Sequence, residues 1–280
     1  MAHADALSAR SEGGRKRGNR LHSESGAMTF ELMEKTGAGR WIEPSPSAGS
    51  ATQRLFCIPY AGGSAAVFRD WPARLAATVD VRALHPPGRG RRFCDALLYR
   101  VDQIADEVTA AITPLLDRPY TLFGHSMGAS VAFEVARRIQ TRRLRKPTCL
   151  IVSGRGAPHL PMKRRPIHDL PDDQFLDEVM CMNGTPPEIL EHPEVIELIL
   201  PILRADFEAI ETYRAAPHLR LDCRIVALGG RDEQGSSQAV ESWRAYAAGG
   251  FRGEIVPGDH FFLHGRAERF FSVLNEELAR

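Results

Sequence analysis

At 280 residues and 43% hydrophobic, the chain is long enough for one large domain with a sizeable core. A net charge of +1 argues against a general nucleic-acid or membrane-surface role, and no apolar run approaches the length of a bilayer span. The five cysteines are odd in number and form no C-x-x-C pair; Cys57, Cys149 and Cys223 lie inside apolar runs, which suits buried, reduced thiols and a cytoplasmic setting.

Residues 1–27 hold Ser, Gly, Arg and His with almost no apolar periodicity, and no apolar h-region follows the basic run at Arg15-Lys16-Arg17. A disordered extension is expected there, followed by one domain over 28–280 that opens at Met28. A second loose stretch, rich in Pro and Ser, covers 43–53. Beyond it, strand-like apolar runs recur at 55–60, 81–86, 120–124, 148–153, 224–228 and 253–256. Helical spacing is found at 67–77, 101–116, 127–142, 236–247 and 266–278. Continuous apolar strands alternating with helices predict an α/β fold, with a mostly parallel central sheet covered by helices on both faces. The alternation breaks between about 158 and 217, where helical patterns follow one another around Leu170-Pro171-Asp172-Asp173 and over 188–213. An all-helical insertion at that point predicts a lid over the site, with hinges at Asp172-Asp173 and Gly184-Thr185-Pro186-Pro187. Met180, Met182, Ile189, Leu198, Leu203 and Phe207 are its candidates to line a chamber over that site.

Gly124-His125-Ser126-Met127-Gly128 lies where an apolar strand runs into a helix of small residues, a G-x-S-x-G nucleophile elbow. Glycine at both ends permits the tight turn, and Ser126 is the predicted nucleophile. A serine needs a base and the base an orienting acid, in the chain order Ser, acid, His. Asp232 follows the strand run 224–228 in the loop Gly229-Gly230-Arg231-Asp232 and is the predicted acid. Asp206 falls within a helical pattern, Asp222 precedes the strand, and Asp259 reads as a turn former. His260, after the last strand, is the predicted base, with His264 as runner-up; His125 is expected to pack beside the elbow. The oxyanion donors are predicted to be the N–H groups of Met127 and of Ala61, the latter in the loop Pro59-Tyr60-Ala61-Gly62-Gly63-Ser64. That loop matches neither phosphate-binding glycine motif, and no zinc-ligand spacing occurs, so neither cofactor nor metal is expected.

Taken together, these motifs resemble the type II thioesterases, the stand-alone editing hydrolases that act beside polyketide synthases and nonribosomal peptide synthetases. The resemblance covers about 41–280. It rests on Pro59–Ser64, His85-Pro86-Pro87-Gly88-Arg89-Gly90-Arg91, the elbow, Leu170–Asp173, Leu203-Arg204-Ala205-Asp206-Phe207 with Glu211-Thr212-Tyr213, Asp232 and Gly258-Asp259-His260-Phe261. Tyr60 departs from the pattern, standing where many relatives have His, and so does the N-terminal extension. The resemblance implies an α/β-hydrolase fold with a helical lid. It also implies hydrolysis of acyl groups from the phosphopantetheine thiol of acyl or peptidyl carrier proteins by a cytoplasmic monomer, with no nucleic acid or membrane involved. A fatty acyl-carrier-protein thioesterase, a small-molecule carboxylesterase, an acyltransferase and a non-catalytic binding module are the competing readings. The basic loop Gly88-Arg89-Gly90-Arg91-Arg92 is expected at the mouth of the site, either as a solvated turn or as a contact for an acidic carrier protein or its phosphate.

Overall fold

The computed structural model describes residues 38–42, 51–162, 164–182, 192–215 and 219–280. The extension at 1–27, the hinge at 184–187 and the chamber candidate Ile189 lie outside the described residues.

Six strands form one sheet: β1 (Gln53–Ile58), β2 (Val79–Ala83), β3 (Tyr120–His125), β4 (Cys149–Ser153), β5 (Arg224–Gly230) and β6 (Phe251–Val256). Their order is β2-β1-β3-β4-β5-β6, and every adjacent pair is parallel. Side chains alternate between faces along each strand. Phe56, Ile58, Leu122 and Leu150 enter one buried cluster with helices α1 (Val101–Ile112) and α2 (Met127–Thr141). Leu55, Cys57, Phe123 and Ile151 enter another, with the Phe270, Phe271 and Leu274 side chains of the C-terminal helix α6 (Glu268–Leu278). Both faces are therefore covered, which is why the strands read as unbroken apolar runs. Cys57, Cys149 and Cys223 are buried free thiols, as expected.

Three expected helices change form. The pattern at 67–77 becomes two 3-10 turns, Ala65–Phe68 and Trp71–Ala73, because Pro72 starts the second turn and has no N–H to continue the first. After α1 the backbone tightens into a 3-10 turn at Thr113–Leu115, again around a proline. The pattern at 236–247 divides into α5 (Ser236–Ser242) and a 3-10 turn, Trp243–Tyr246.

Between β4 and β5 the described residues form two helices, α3 (Asp172–Met180) and α4 (Pro193–Thr212), in the span where a helical insertion is expected. They build a small core of their own from Ile167, Phe175, Val179 and Leu203, with Met182 and Phe207 packed against it. The chamber candidates Leu203, Phe207 and Met182 therefore belong to this packing, while Leu198 is 53% exposed. Pro201 lies on the exposed side of α4, where its missing N–H is tolerated.

Polar ties hold the two helices in place. The buried Glu211 carboxylate accepts the Ile167 and His168 backbone N–H groups at 3.0 Å. Arg204 donates to the carbonyls of His168 and Leu170 at 2.6 and 2.7 Å. Asp172, expected as a hinge, receives Arg204 as well. At the end of α4, Tyr213 donates its hydroxyl to Glu134 on α2 at 2.8 Å, and Glu134 is 1% exposed. Burial, and then the Glu134 charge, push the Tyr213 phenol well above its ordinary pKa, so it remains a donor. Tyr213→Phe should cost about 1.5–3 kcal/mol of stability, the range for a hydrogen bond to a charged group. The expected readout is a lower urea midpoint at unchanged m value.

Candidate active site

The elbow has the geometry its sequence demands. Ser126 sits between β3 and α2 at φ 53°, ψ −115°, a region that a side-chain-bearing residue occupies only under strain of about 1–3 kcal/mol. Its N–H donates to the Ser153 carbonyl at the end of β4, 2.8 Å away, which holds the turn to the sheet. A Cβ on Gly124 would lie 2.0 Å from the Gly128 carbonyl oxygen, and one on Gly128 would lie 2.3 Å from that of Ile58. The start of α2 thus presses against the end of β1 with no side chain between them.

That contact sets the loop after β1 beside the nucleophile. Within the loop, Gly63 N–H donates to the Tyr60 carbonyl at 2.9 Å and Gly62 N–H to Asp206 Oδ2 at 2.7 Å. Among the described residues the N–H groups of Ala61 and Met127 donate to no protein acceptor. The two predicted oxyanion donors are therefore open, the second at the N-terminus of α2, where the helix dipole favours negative charge.

His260 enters from the loop after β6. That loop is joined to the one after β5 by Arg231 N–H to the Val256 carbonyl at 2.8 Å and Asp232 N–H to the Gly258 carbonyl at 3.0 Å. A Cβ on Gly230 would lie 2.2 Å from the Asp259 carbonyl oxygen, so these loops also meet backbone to backbone. Asp259 accepts the Phe261 N–H at 2.8 Å, the turn-forming role expected of it. The His260 ring lies 5.0 Å, centroid to centroid, from that of His125, the residue preceding the nucleophile.

The carboxylate paired with His260 is not that of Asp232, the expected acid, but of its neighbour. His260 Nδ1 pairs with Glu233 Oε1 at 3.1 Å, and both side chains are about one-third exposed or less. The neighbouring Asp232 is exposed, and among the described residues its carboxylate contacts neither His260 nor a cation. Its backbone N–H donates to the Gly258 carbonyl. Glu233, one residue further round the turn and one methylene longer, is the carboxylate that reaches Nδ1. Loop position identified this turn as the source of the acid, but spacing does not distinguish two adjacent carboxylates.

His264, the runner-up base, is engaged elsewhere: its Nε2 shares a hydrogen bond with the Tyr60 hydroxyl at 3.0 Å. Tyr60 also stands edge-on to His125, His264 and Phe261, at ring-centroid distances of 5.8, 5.8 and 5.1 Å. The residue that departs from the family pattern thus braces the oxyanion loop against the histidine loop. His125 packs beside the elbow as expected, fully buried, with Nδ1 2.9 Å from Ser153 Oγ. Burial, and then the nearby His260 and His264, hold its pKa well below the ordinary histidine value. It therefore stays neutral, and places no permanent positive charge beside the general base.

The basic loop after β2 is not simply a solvated turn. Arg89 is buried and its Nη2 contacts both Asp206 oxygens, at 3.0 and 2.7 Å, whereas Arg91 is exposed.

Residues 53–278 match the family model described as the thioesterase domain. The chain belongs to the thioesterase family. It is a thioester hydrolase. It is 38% identical to the gramicidin S biosynthesis protein GrsT of Aneurinibacillus migulanus, over 80% of this chain and 88% of that one. It is 37% identical to the thioesterase PikA5 of Streptomyces venezuelae, over 86% of each. The solved structure of BorB, the type II thioesterase of the borrelidin biosynthetic cluster, superposes with a TM-score of 0.76 at 32% identity, covering 85% of this chain and 98% of BorB. The parallel sheet is accordingly that of the α/β-hydrolase fold. Among the described residues of this thioesterase, no helix is long and apolar enough to cross a membrane.

Glu233→Gln should lower kcat by about 10²- to 10⁴-fold, because the imidazole loses the charge that orients it and stabilises its protonated form. Asp232→Asn should stay within about threefold of the parent. Circular dichroism and steady-state kinetics on the two purified variants check this, and the reverse ranking would assign the role to Asp232.

Proposed function

We propose that this thioesterase releases acyl groups held as thioesters on the phosphopantetheine arm of carrier proteins, through an acyl-enzyme on Ser126. The observation that carries the reading is the Ser126 backbone, held at φ 53° at the mouth of two open N–H groups with the Glu233–His260 pair on the adjoining loops. The relatives named for gramicidin S and borrelidin biosynthesis support a carrier-bound substrate, since their pathways are the setting in which such intermediates occur.

The chemistry follows from the groups present. His260, oriented through Nδ1 by Glu233, takes the Ser126 hydroxyl proton as Oγ attacks the thioester carbonyl. The oxyanion is received by the Ala61 and Met127 N–H groups. Collapse breaks the C–S bond, and the departing sulfur takes the proton from His260. Thiolate is a good leaving group, so this step needs less acid assistance than cleavage of an amide. A water molecule then gives its proton to His260 and attacks the acyl-enzyme; the tetrahedral adduct releases the carboxylic acid and Ser126 regains its proton.

Carrier recognition is assigned to the exposed side of the loop after β2. Arg91 is exposed there, and a guanidinium suits both the phosphate of the arm and an acidic carrier surface.

The test uses one acyl group presented on a carrier protein, as a small thioester and as an oxygen ester. The expected order of kcat/KM is carrier thioester, then small thioester, then ester. Ser126→Ala should lower kcat on the order of 10⁴-fold or more and abolish fluorophosphonate labelling. Arg91→Glu should raise KM for the carrier-bound substrate by a larger factor than for the small thioester. Preference for the oxygen ester would make the protein a carboxylesterase.

A further inference from the structure

The loop that supplies the Ala61 oxyanion donor is held by a carboxylate from outside the sheet. Asp206 lies on α4, in the helical insertion, yet its Oδ2 accepts the Gly62 N–H at 2.7 Å. The same oxygen takes Arg89 Nη2 at 2.7 Å, and Oδ1 takes it at 3.0 Å. Three segments therefore meet on one carboxylate: the loop after β1, the loop after β2 and α4. Leu203, one turn earlier on α4, lies against the same glycine, since a Cβ on Gly62 would come within 2.6 Å of Leu203 Cδ2.

The consequence is a matter of peptide planes. A trans peptide is planar, and its N–H points opposite to its C=O. The Tyr60 carbonyl and the Ala61 N–H belong to one such unit, and the bond from Gly63 N–H to the Tyr60 oxygen sets the direction of that unit. The next unit contains the Gly62 N–H, and Asp206 holds it. Gly62 itself has φ +76°, a left-handed conformation that glycine adopts without strain but does not retain without outside support. With both planes held, the Ala61 N–H is fixed in direction; with Asp206 removed, only one is.

Stability alone is a weak account of this pair. Asp206 is 4% and Arg89 8% exposed, and Arg89 Nε and Nη1 are buried without a partner among the described residues. A buried ion pair with unmet donors has a desolvation penalty that apolar side chains of the same volume would not incur.

We infer that Asp206 and Arg89 are positioning residues for the oxyanion hole, making α4 part of the device that aims the Ala61 N–H at the reacting carbonyl. Arg89 holds the Asp206 carboxylate in register, and Asp206 transmits the position of α4 to the Gly62 peptide. The inference rests on the proposed role of the Ala61 N–H as oxyanion donor.

The test pairs kinetics with a trifluoromethyl ketone analogue of the acyl group, whose adduct with Ser126 places an oxyanion in the hole. The double variant Arg89→Leu/Asp206→Ala removes both charges, so neither is left buried alone. Its kcat on a small acyl thioester should fall on the order of 10²-fold, the usual effect of losing one oxyanion donor. KM should change by less than about threefold, and affinity for the ketone should fall by the same factor as kcat. Arg89→Leu/Asp206→Asn, whose amide oxygen can still accept from Gly62, should recover most of both. Asp206→Glu keeps the charge pair but displaces the acceptor by one methylene, and should lose kcat and ketone affinity together. It serves as the test should the alanine variant fail to fold. Parental kcat in the folded alanine or glutamate variant, or a loss of kcat with ketone affinity unchanged, would overturn the inference. Fluorophosphonate labelling of Ser126 in the parent separates the two levels: an unlabelled parent refutes the proposed mechanism, whereas a labelled parent with insensitive variants refutes only the coupling to α4.

Discussion

The bare-backbone contact between Gly128 and the end of β1 is the constraint on which the site depends. A methyl group at position 128 would collide with the Ile58 and Pro59 carbonyl oxygens, at 2.3 and 2.6 Å. Without one, β1 and β3 end side by side, and the first turn of α2 lies against the loop that follows β1. A strained serine and two N–H groups from separate segments then share one small volume. The strain at Ser126 is sustained because the strands on either side of β3, and the helix behind it, are almost wholly buried.

A second pair of adjacent strands completes the machinery in the same way. β5 and β6 run parallel, and their terminal loops are joined by two backbone hydrogen bonds and the close approach at Gly230. The Glu233–His260 pair therefore sits on one stiff unit, with its separation set by main chain. The two units are braced to each other by the Tyr60–His264 hydrogen bond and the aromatic contacts of Tyr60 and His125. The Tyr60 hydroxyl thus finds its partner on the opposite loop.

The helical insertion is a tied wall over this arrangement. Glu211 and Arg204 tie α4 to the segment 167–172 that leads into α3, Tyr213 joins it to α2, and Asp206 joins it to the loop after β1. Each tie is a charged or charge-assisted hydrogen bond in a buried or half-buried setting, where such bonds are stronger than at the surface. Motion of α4 would have to break several of them together. Flexibility at Asp172, suggested by the loop-like chemistry of that segment, is opposed by its contact with Arg204.

The sequence by itself determined the class of fold, the order of its elements and the elbow that carries Ser126. Those features are written in local chemistry: apolar runs of strand length, helical spacing, and two glycines bracketing a serine at a strand-to-helix corner. It also singled out the two loops, after β5 and after β6, that the fold brings together as the Glu233–His260 pair. What it left open was every choice between neighbours. Asp232 and Glu233 are adjacent carboxylates in one turn, and only the hydrogen bonding of that turn to the loop after β6 decides which one faces His260. Arg89 and Arg91 look alike in a basic run, yet one is buried against Asp206 of α4 and the other is exposed. Asp206, set aside as a helical residue, gains its role from a glycine 144 positions away in the chain. Such pairings depend on where separate segments are brought in three dimensions, and local periodicity contains no record of that.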